Sequence, residues 1–139
     1  MNQPLPPKPL PEPSDLTRPF WDACRRHELR IQRCRACGAL LHYPKVMCPN
    51  DQTMEFDWAL MSGRGTVHSF VGAYRAFHPG FQADVPYTIA IIELEEGPRM
   101  MSNVTLPPAE VKVGMAVEVV FEDVNDDIAL PKFRPAGAA

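Results

Sequence analysis

Cys34-Arg35-Ala36-Cys37-Gly38 and, separated from Cys37 by ten residues, Cys48-Pro49-Asn50-Asp51 are the stretches that decide how this chain is read. Each is a tight knuckle that offers two ligand-type side chains separated by two spacers. Zinc asks for a closed tetrahedron of soft or borderline donors, and two knuckles at the tips of two hairpins deliver two donors apiece. The spacing therefore predicts a zinc ribbon held by Cys34, Cys37, Cys48 and Asp51. Asp51 stands where a fourth Cys would complete the set. Its carboxylate oxygen is an acceptable ligand at about 2.0 to 2.2 Å, but three thiolates and a carboxylate hold zinc less tightly than four thiolates. His42, between the knuckles, and Cys24, ten residues before the first, are alternative donors. A ribbon fold without metal is a further reading. A zinc here is structural, because no open coordination position with a general base beside it is in sight.

Upstream of the knuckles, Thr17 can cap a helix over about 17 to 27 that carries Pro19 in its first turn. Phe20 and Cys24 share one face of it, and Arg25, Arg26 and His27 lie near its C-terminal end. Leu29 and Ile31 alternate with Arg30 and Gln32 into the first knuckle, and Leu40 to Tyr43 leads away from it, as ribbon strands do. Residues 15–55 read as one unit of helix plus ribbon.

Downstream the pattern is all-β: Phe56 to Met61, Thr66 to Arg75, Tyr87 to Leu94, Arg99 to Leu106, Ala116 to Glu122 and Ile128 to Arg134. Turn residues such as His78-Pro79-Gly80, Glu96-Gly97-Pro98 and Asn125-Asp126-Asp127 separate them. An open sheet would leave unpaired edges, so residues 56–139 are expected to close into a barrel of five or six strands, of OB type. The fold class is mainly β. Gly63-Arg64-Gly65 marks a bend at a barrel corner in preference to a phosphate loop. Trp21 and Trp58 are expected in core packing at the helix–barrel and ribbon–barrel joints.

The chain has 139 residues, enough for one ordinary domain or two very small ones, which excludes a large multidomain enzyme. Seven of its 16 prolines fall in the first nineteen residues. Residues 1–14 are accordingly an extended, polyproline-like arm, or else a tail without fixed contacts. The net charge of −3 divides unevenly, with +4 over residues 1–50 and −7 over residues 51–139. The longest apolar run, Ile89 to Ile92, is far short of the about 18 to 20 residues of a membrane helix, and no signal-peptide pattern opens the chain. A soluble, cytoplasmic protein with no membrane contact is expected, and in that compartment 4 Cys do not make a disulfide framework.

No nucleophile elbow, phosphate-binding Gly loop or carboxylate pair beside a His is present, and His42, His68 and His78 stand isolated. No catalytic residue is assigned. Two surface features are candidates for facing a partner. One is the aromatic loop with Tyr74, Phe77, His78 and Phe81 around a Pro-Gly turn. The other is the basic window with Arg30 and Arg33. A nucleic-acid-binding module is the alternative function, disfavoured by the −7 charge of residues 51–139.

The ordered set Pro19-Phe20-Trp21, Leu29 through Gly38, Tyr43-Pro44, Cys48-Pro49, Ser62 through Val67, Pro86-Tyr87, Glu95 through Arg99, Val113-Gly114 and Leu130 through Phe133 resembles one acyl-CoA-associated family. In that family a rubredoxin-like zinc ribbon is joined to an OB-fold. The resemblance covers nearly the whole chain after the proline arm, and Asp51 is its main departure. It implies a small subunit, not catalytic alone, that assembles with a thiolase-superfamily enzyme, a thiolase or a thiolase-like aldolase (lyase) acting on acyl-CoA or steroid-CoA thioesters. The large subunit would supply the chemistry. A heterotetramer, no nucleic acid, and a share in supporting the partner's fold and forming the acyl-CoA site follow as expectations.

Overall fold

The computed structural model describes residues 6–137. The expectations for Met1 to Leu5, the start of the proline arm, lie outside the described residues. The chain runs α1 (Arg18–Arg25), β1 (Arg30–Cys34), β2 (Leu40–Leu41), β3 (Phe56–Leu60), β4 (Arg64–Ala73), β5 (Tyr87–Leu94), β6 (Arg99–Val104), β7 (Ala116–Asp123) and β8 (Ala129–Pro135). Short 3-10 turns lie at Pro79–Phe81 and Pro108–Glu110.

Helix α1 forms because Phe20, Ala23 and Cys24 recur at helical spacing and are its buried residues. Thr17 holds the N-cap position, yet its hydroxyl does not cap the helix. It accepts the Ser14 N–H at 2.9 Å, and Ser14 Oγ accepts the Thr17 N–H at 3.2 Å, so the two residues brace the turn before α1.

Two sheets follow. One is three-stranded in the order β2, β1, β3, and the other is a closed barrel in the order β4, β5, β6, β8, β7. The segment Phe56 to Met61, read from the sequence as a barrel strand, belongs to the first sheet. It pairs antiparallel with β1, from Arg30 opposite Leu60 to Cys34 opposite Phe56. The physical reason lies at the following corner. Gly63 has φ +85°, and a side chain there would meet Val119 Cγ1 at 2.6 Å, so only glycine lets the chain leave one sheet and enter the other. The remaining five strands close the barrel. Arg64 of the same corner pairs with Glu95 at 3.0 Å, in keeping with a bend and not a phosphate loop.

The strict inside–outside alternation of β5, with Thr88, Ala90, Ile92 and Leu94 buried, gives the barrel its inner face. In β4 the alternation slips where the register shifts between Val67 and Ser69, which leaves His68 exposed. One core joins Val67, Ile92, Leu94, Val117 and Phe133 of the barrel to Phe20, Cys24, Leu29 and Ile31 of the helix and β1. Trp21 and Trp58, expected in core packing, lie against this core and are partly buried. A second, small cluster of Cys34, Leu41 and Cys48, with Ala39 and Phe56 against it, lies in the ribbon.

Candidate metal centre and surrounding surfaces

The two knuckles are built alike. In the first, the Cys34 N–H donates to the Ala39 carbonyl at 2.9 Å, and the Gly38 N–H donates to the Cys34 carbonyl at 2.9 Å. In the second, the Cys48 N–H donates to the Thr53 carbonyl at 2.8 Å, and the Gln52 N–H donates to the Cys48 carbonyl at 2.9 Å. Each closes with a residue in the left-handed region, Gly38 at φ 77° and Gln52 at φ 62°. Asp51 thus occupies in its knuckle the place of Cys37 in the other.

The ligand atoms of Cys34, Cys37, Cys48 and Asp51 all lie within 4.8 Å of one another. A tetrahedral zinc with bonds of about 2.3 Å to sulfur and 2.1 Å to oxygen would separate two sulfurs by about 3.8 Å, and a sulfur from an oxygen by about 3.6 Å. The Cys37 and Cys48 sulfurs are 3.7 Å apart. Cys34 Sγ lies 3.4 Å and 3.6 Å from the two Asp51 oxygens. The donor set fits a structural zinc in both chemistry and dimensions. Asp51 is oriented for this task, since its Oδ1 accepts the Thr53 N–H at 3.0 Å, a bond that drives its carboxyl pKa down to about 2. The Cys37 N–H, donated to Cys34 Sγ at 3.5 Å, holds that thiol below its ordinary value, while burial pushes the Cys48 thiol up to about 11.

The alternative donors lie elsewhere. Cys24 is a core residue whose thiol burial drives up to about 12. His42 packs between Phe20, at 5.4 Å between ring centroids, and Tyr43, at 4.1 Å. Burial pushes its pKa down to about 4. A group with a folded pKa below its unfolded value of 6.5 stabilises the fold above that value, and this contribution is lost as pH falls toward 4. Acidification from pH 7 to 5 is therefore expected to cost about 2 kcal/mol through His42 alone. Denaturant titrations at the two pH values check it: His42→Phe should flatten the difference by that amount.

The aromatic loop splits into two halves. Phe77 and Tyr74 point outward, 84% and 70% exposed, with the Tyr74 ring laid over Gly72 and Pro108 beside it. His78 and Phe81 turn inward. His78 Nδ1 accepts the Gly80 N–H at 3.0 Å, and the Phe81 ring packs on Tyr87 at 5.8 Å. In the basic window, Arg30 is engaged within the chain, donating to the Glu28 carboxylate at 3.0 Å and to the Trp58 carbonyl at 3.1 Å. Arg33 is exposed and has no ion pair among the described residues.

Sequence reasoning did not find a cavity of about 260 Å³ at the joint between the two sheets, walled by Phe20, Trp21, His42 and Tyr43 on one side and Met100 and Leu130 on the other. At its edge the Met101 N–H of β6 donates to the Tyr43 hydroxyl at 3.1 Å instead of to a neighbouring strand. Pro19-Phe20-Trp21 and Tyr43-Pro44, two of the quoted motifs, supply much of this wall, and that was the available signal.

Comparison with known proteins gives consistent matches. Residues 21–53 match the family model described as the ChsH2 rubredoxin-like zinc ribbon domain, and residues 58–122 match that of the ChsH2 C-terminal OB-fold domain. The chain is 42% identical over 117 residues to the 3-oxo-4,17-pregnadiene-20-carboxyl-CoA hydratase alpha subunit of Mycobacterium tuberculosis, covering 84% of this chain and 37% of that subunit. It thus spans little more than a third of that relative. It is 36% identical over 97 residues to a DUF35 domain-containing scaffold protein of Methanocaldococcus jannaschii, covering 68% of each. Among solved structures, a chain of the Ltp2-ChsH2(DUF35) aldolase superposes with a TM-score of 0.84 at 33% identity, covering 91% of this chain and 99% of that one.

Proposed function

Because the chain belongs to the ChsH2 family, in which a rubredoxin-like zinc ribbon is joined to an OB-fold, we propose that it is a non-catalytic partner subunit of an acyl-CoA enzyme. The observation that carries this reading is the superposition, over 99% of its length, of a chain from an aldolase assembly. The relative whose name calls it a scaffold protein supports the same division of labour. On this reading the partner is a thiolase-superfamily subunit, a thiolase or a thiolase-like aldolase acting on an acyl-CoA or steroid-CoA thioester. The two form a heterotetramer, since such enzymes are two-fold dimers and each half offers an equivalent docking surface. The cytoplasm is its compartment, and the acyl-CoA lies at or near the interface.

Zinc, held by Cys34, Cys37, Cys48 and Asp51, would fix the ribbon without touching substrate. Tyr74 and Phe77 are the outward anchors for the partner. Phe81 and His78 support them from within the chain, Arg30 is engaged by Glu28 and Trp58, and Arg33 is an exposed cation of the basic window placed to meet a partner carboxylate or a CoA phosphate. The nucleic-acid alternative draws little support from the basic window, where Glu28 takes up Arg26 and Arg30, and Asp57 takes up Arg35.

Reconstitution tests this reading. The purified chain should turn over no acyl-CoA, the isolated thiolase-like subunit little, and the mixture should be fully active. Turnover by the chain alone that disappears in Cys34→Ser would replace the proposal with a free-standing metal-dependent enzyme.

A further inference from the structure

Gly80 lies outside the left-handed region, so its backbone conformation does not call for glycine. Space does. A Cβ at this position would come within 2.9 Å of the backbone N and Cα of Lys8 and 3.0 Å of the Pro6 carbonyl oxygen. The proline arm therefore lies directly on the 3-10 turn Pro79–Phe81, in room that only a glycine leaves. Two further contacts fasten it there. The Lys8 ammonium pairs with the Asp84 carboxylate, and it sits 5.4 Å above the centroid of the Phe81 ring. Prolines suit such a segment because their backbone is already restricted, so ordering it costs less entropy than ordering another sequence. Between the arm, at Pro7 to Leu10, and the barrel wall at Tyr87, Leu106 and Pro107 runs a groove of about 760 Å³.

We propose that Pro6–Leu10 is a strap that locks the 78–84 turn, with Gly80 as its seat and the Lys8–Asp84 pair as its clasp. The locked turn keeps Phe81 inward against Tyr87, and release of the strap frees the turn and opens the groove. The inference rests on contacts within the chain and stands or falls apart from the reading of the partner.

Hydrogen exchange on the full chain tests it. The reporting amides are Gly80, bonded to His78 Nδ1, Phe81 and Gln82, bonded to the His78 and Pro79 carbonyls, and Asp84, bonded to the Phe81 carbonyl. Lys8→Asp and Asp84→Lys should each speed their exchange about fivefold, and the double exchange of charges should restore the slower rate. Gly80→Ala should unseat the arm and make cleavage after Pro9 by a proline-specific endoprotease about tenfold faster, with the β5 amides unchanged as a control on folding. Turn rates within about twofold of wild type in both single variants, an arm as protected in Gly80→Ala as in wild type, or a double variant as fast as the singles would each overturn the strap.

Discussion

Cys48→Ser protein is expected to carry almost no zinc and to melt in two steps, the ribbon first. Metal analysis of wild type purified without chelator should give close to one zinc per chain. The expectation follows from how little else holds the ribbon. Its own cluster comprises Cys34, Leu41 and Cys48 with Ala39 and Phe56, and two of these are ligands. A structural zinc supplies folding free energy directly, so a lost thiolate should cost at least about 3 kcal/mol, or roughly 10 °C in the first transition. The barrel should persist. Phe20, Cys24, Leu29 and Ile31 belong to the barrel core and not to the metal cluster, so barrel amides should keep their protection when a chelator strips the ribbon. Asp51 gives the finer contrast: Asp51→Cys should slow zinc loss to chelator, and Asp51→Ala should speed it. Wild-type protein free of zinc after mild purification, with an intact ribbon, would contradict the structural role.

The Tyr74→Ala/Phe77→Ala double variant should bind the partner subunit about 3 to 4 kcal/mol more weakly, roughly 150- to 900-fold, and melt like wild type. Phe77 is 84% exposed, so truncating it removes nothing from the chain's own core. Phe81→Ala should behave in the opposite way, since its ring packs on Tyr87 and beneath Lys8. It should lower the stability of the isolated chain by about 2 kcal/mol, with a smaller direct effect on association. Calorimetry for stability and titration for affinity separate the two. A pair of anchors that changes stability but not affinity would show that the aromatic loop serves the barrel alone.

These contrasts show which physical information a sequence carries. The metal ligands were legible because knuckle spacing is local: the hydrogen bonds closing Cys34 to Gly38 and Cys48 to Gln52 span only four residues. The barrel strands were legible because inside–outside alternation and turn residues are local too. Phe56 to Leu60 shows the limit, for its pattern says strand while the choice of sheet depends on β1, more than twenty residues away. Arg30 shows it again. Its guanidinium reaches the Trp58 carbonyl across 28 residues, so a side chain read as a candidate for facing a partner is engaged in joining two strands. The division of the aromatic loop into inward and outward halves depends on Lys8 and Tyr87, which no spacing rule connects to Phe81.

The mass of the complex formed with a co-expressed thiolase-like subunit, measured by light scattering as it elutes from size exclusion, tests the central claim most directly. The account predicts one peak at micromolar concentration, with a mass equal to two partner subunits plus two copies of this 15.6 kDa chain. A chain that elutes apart from the partner, at its own mass, would contradict it.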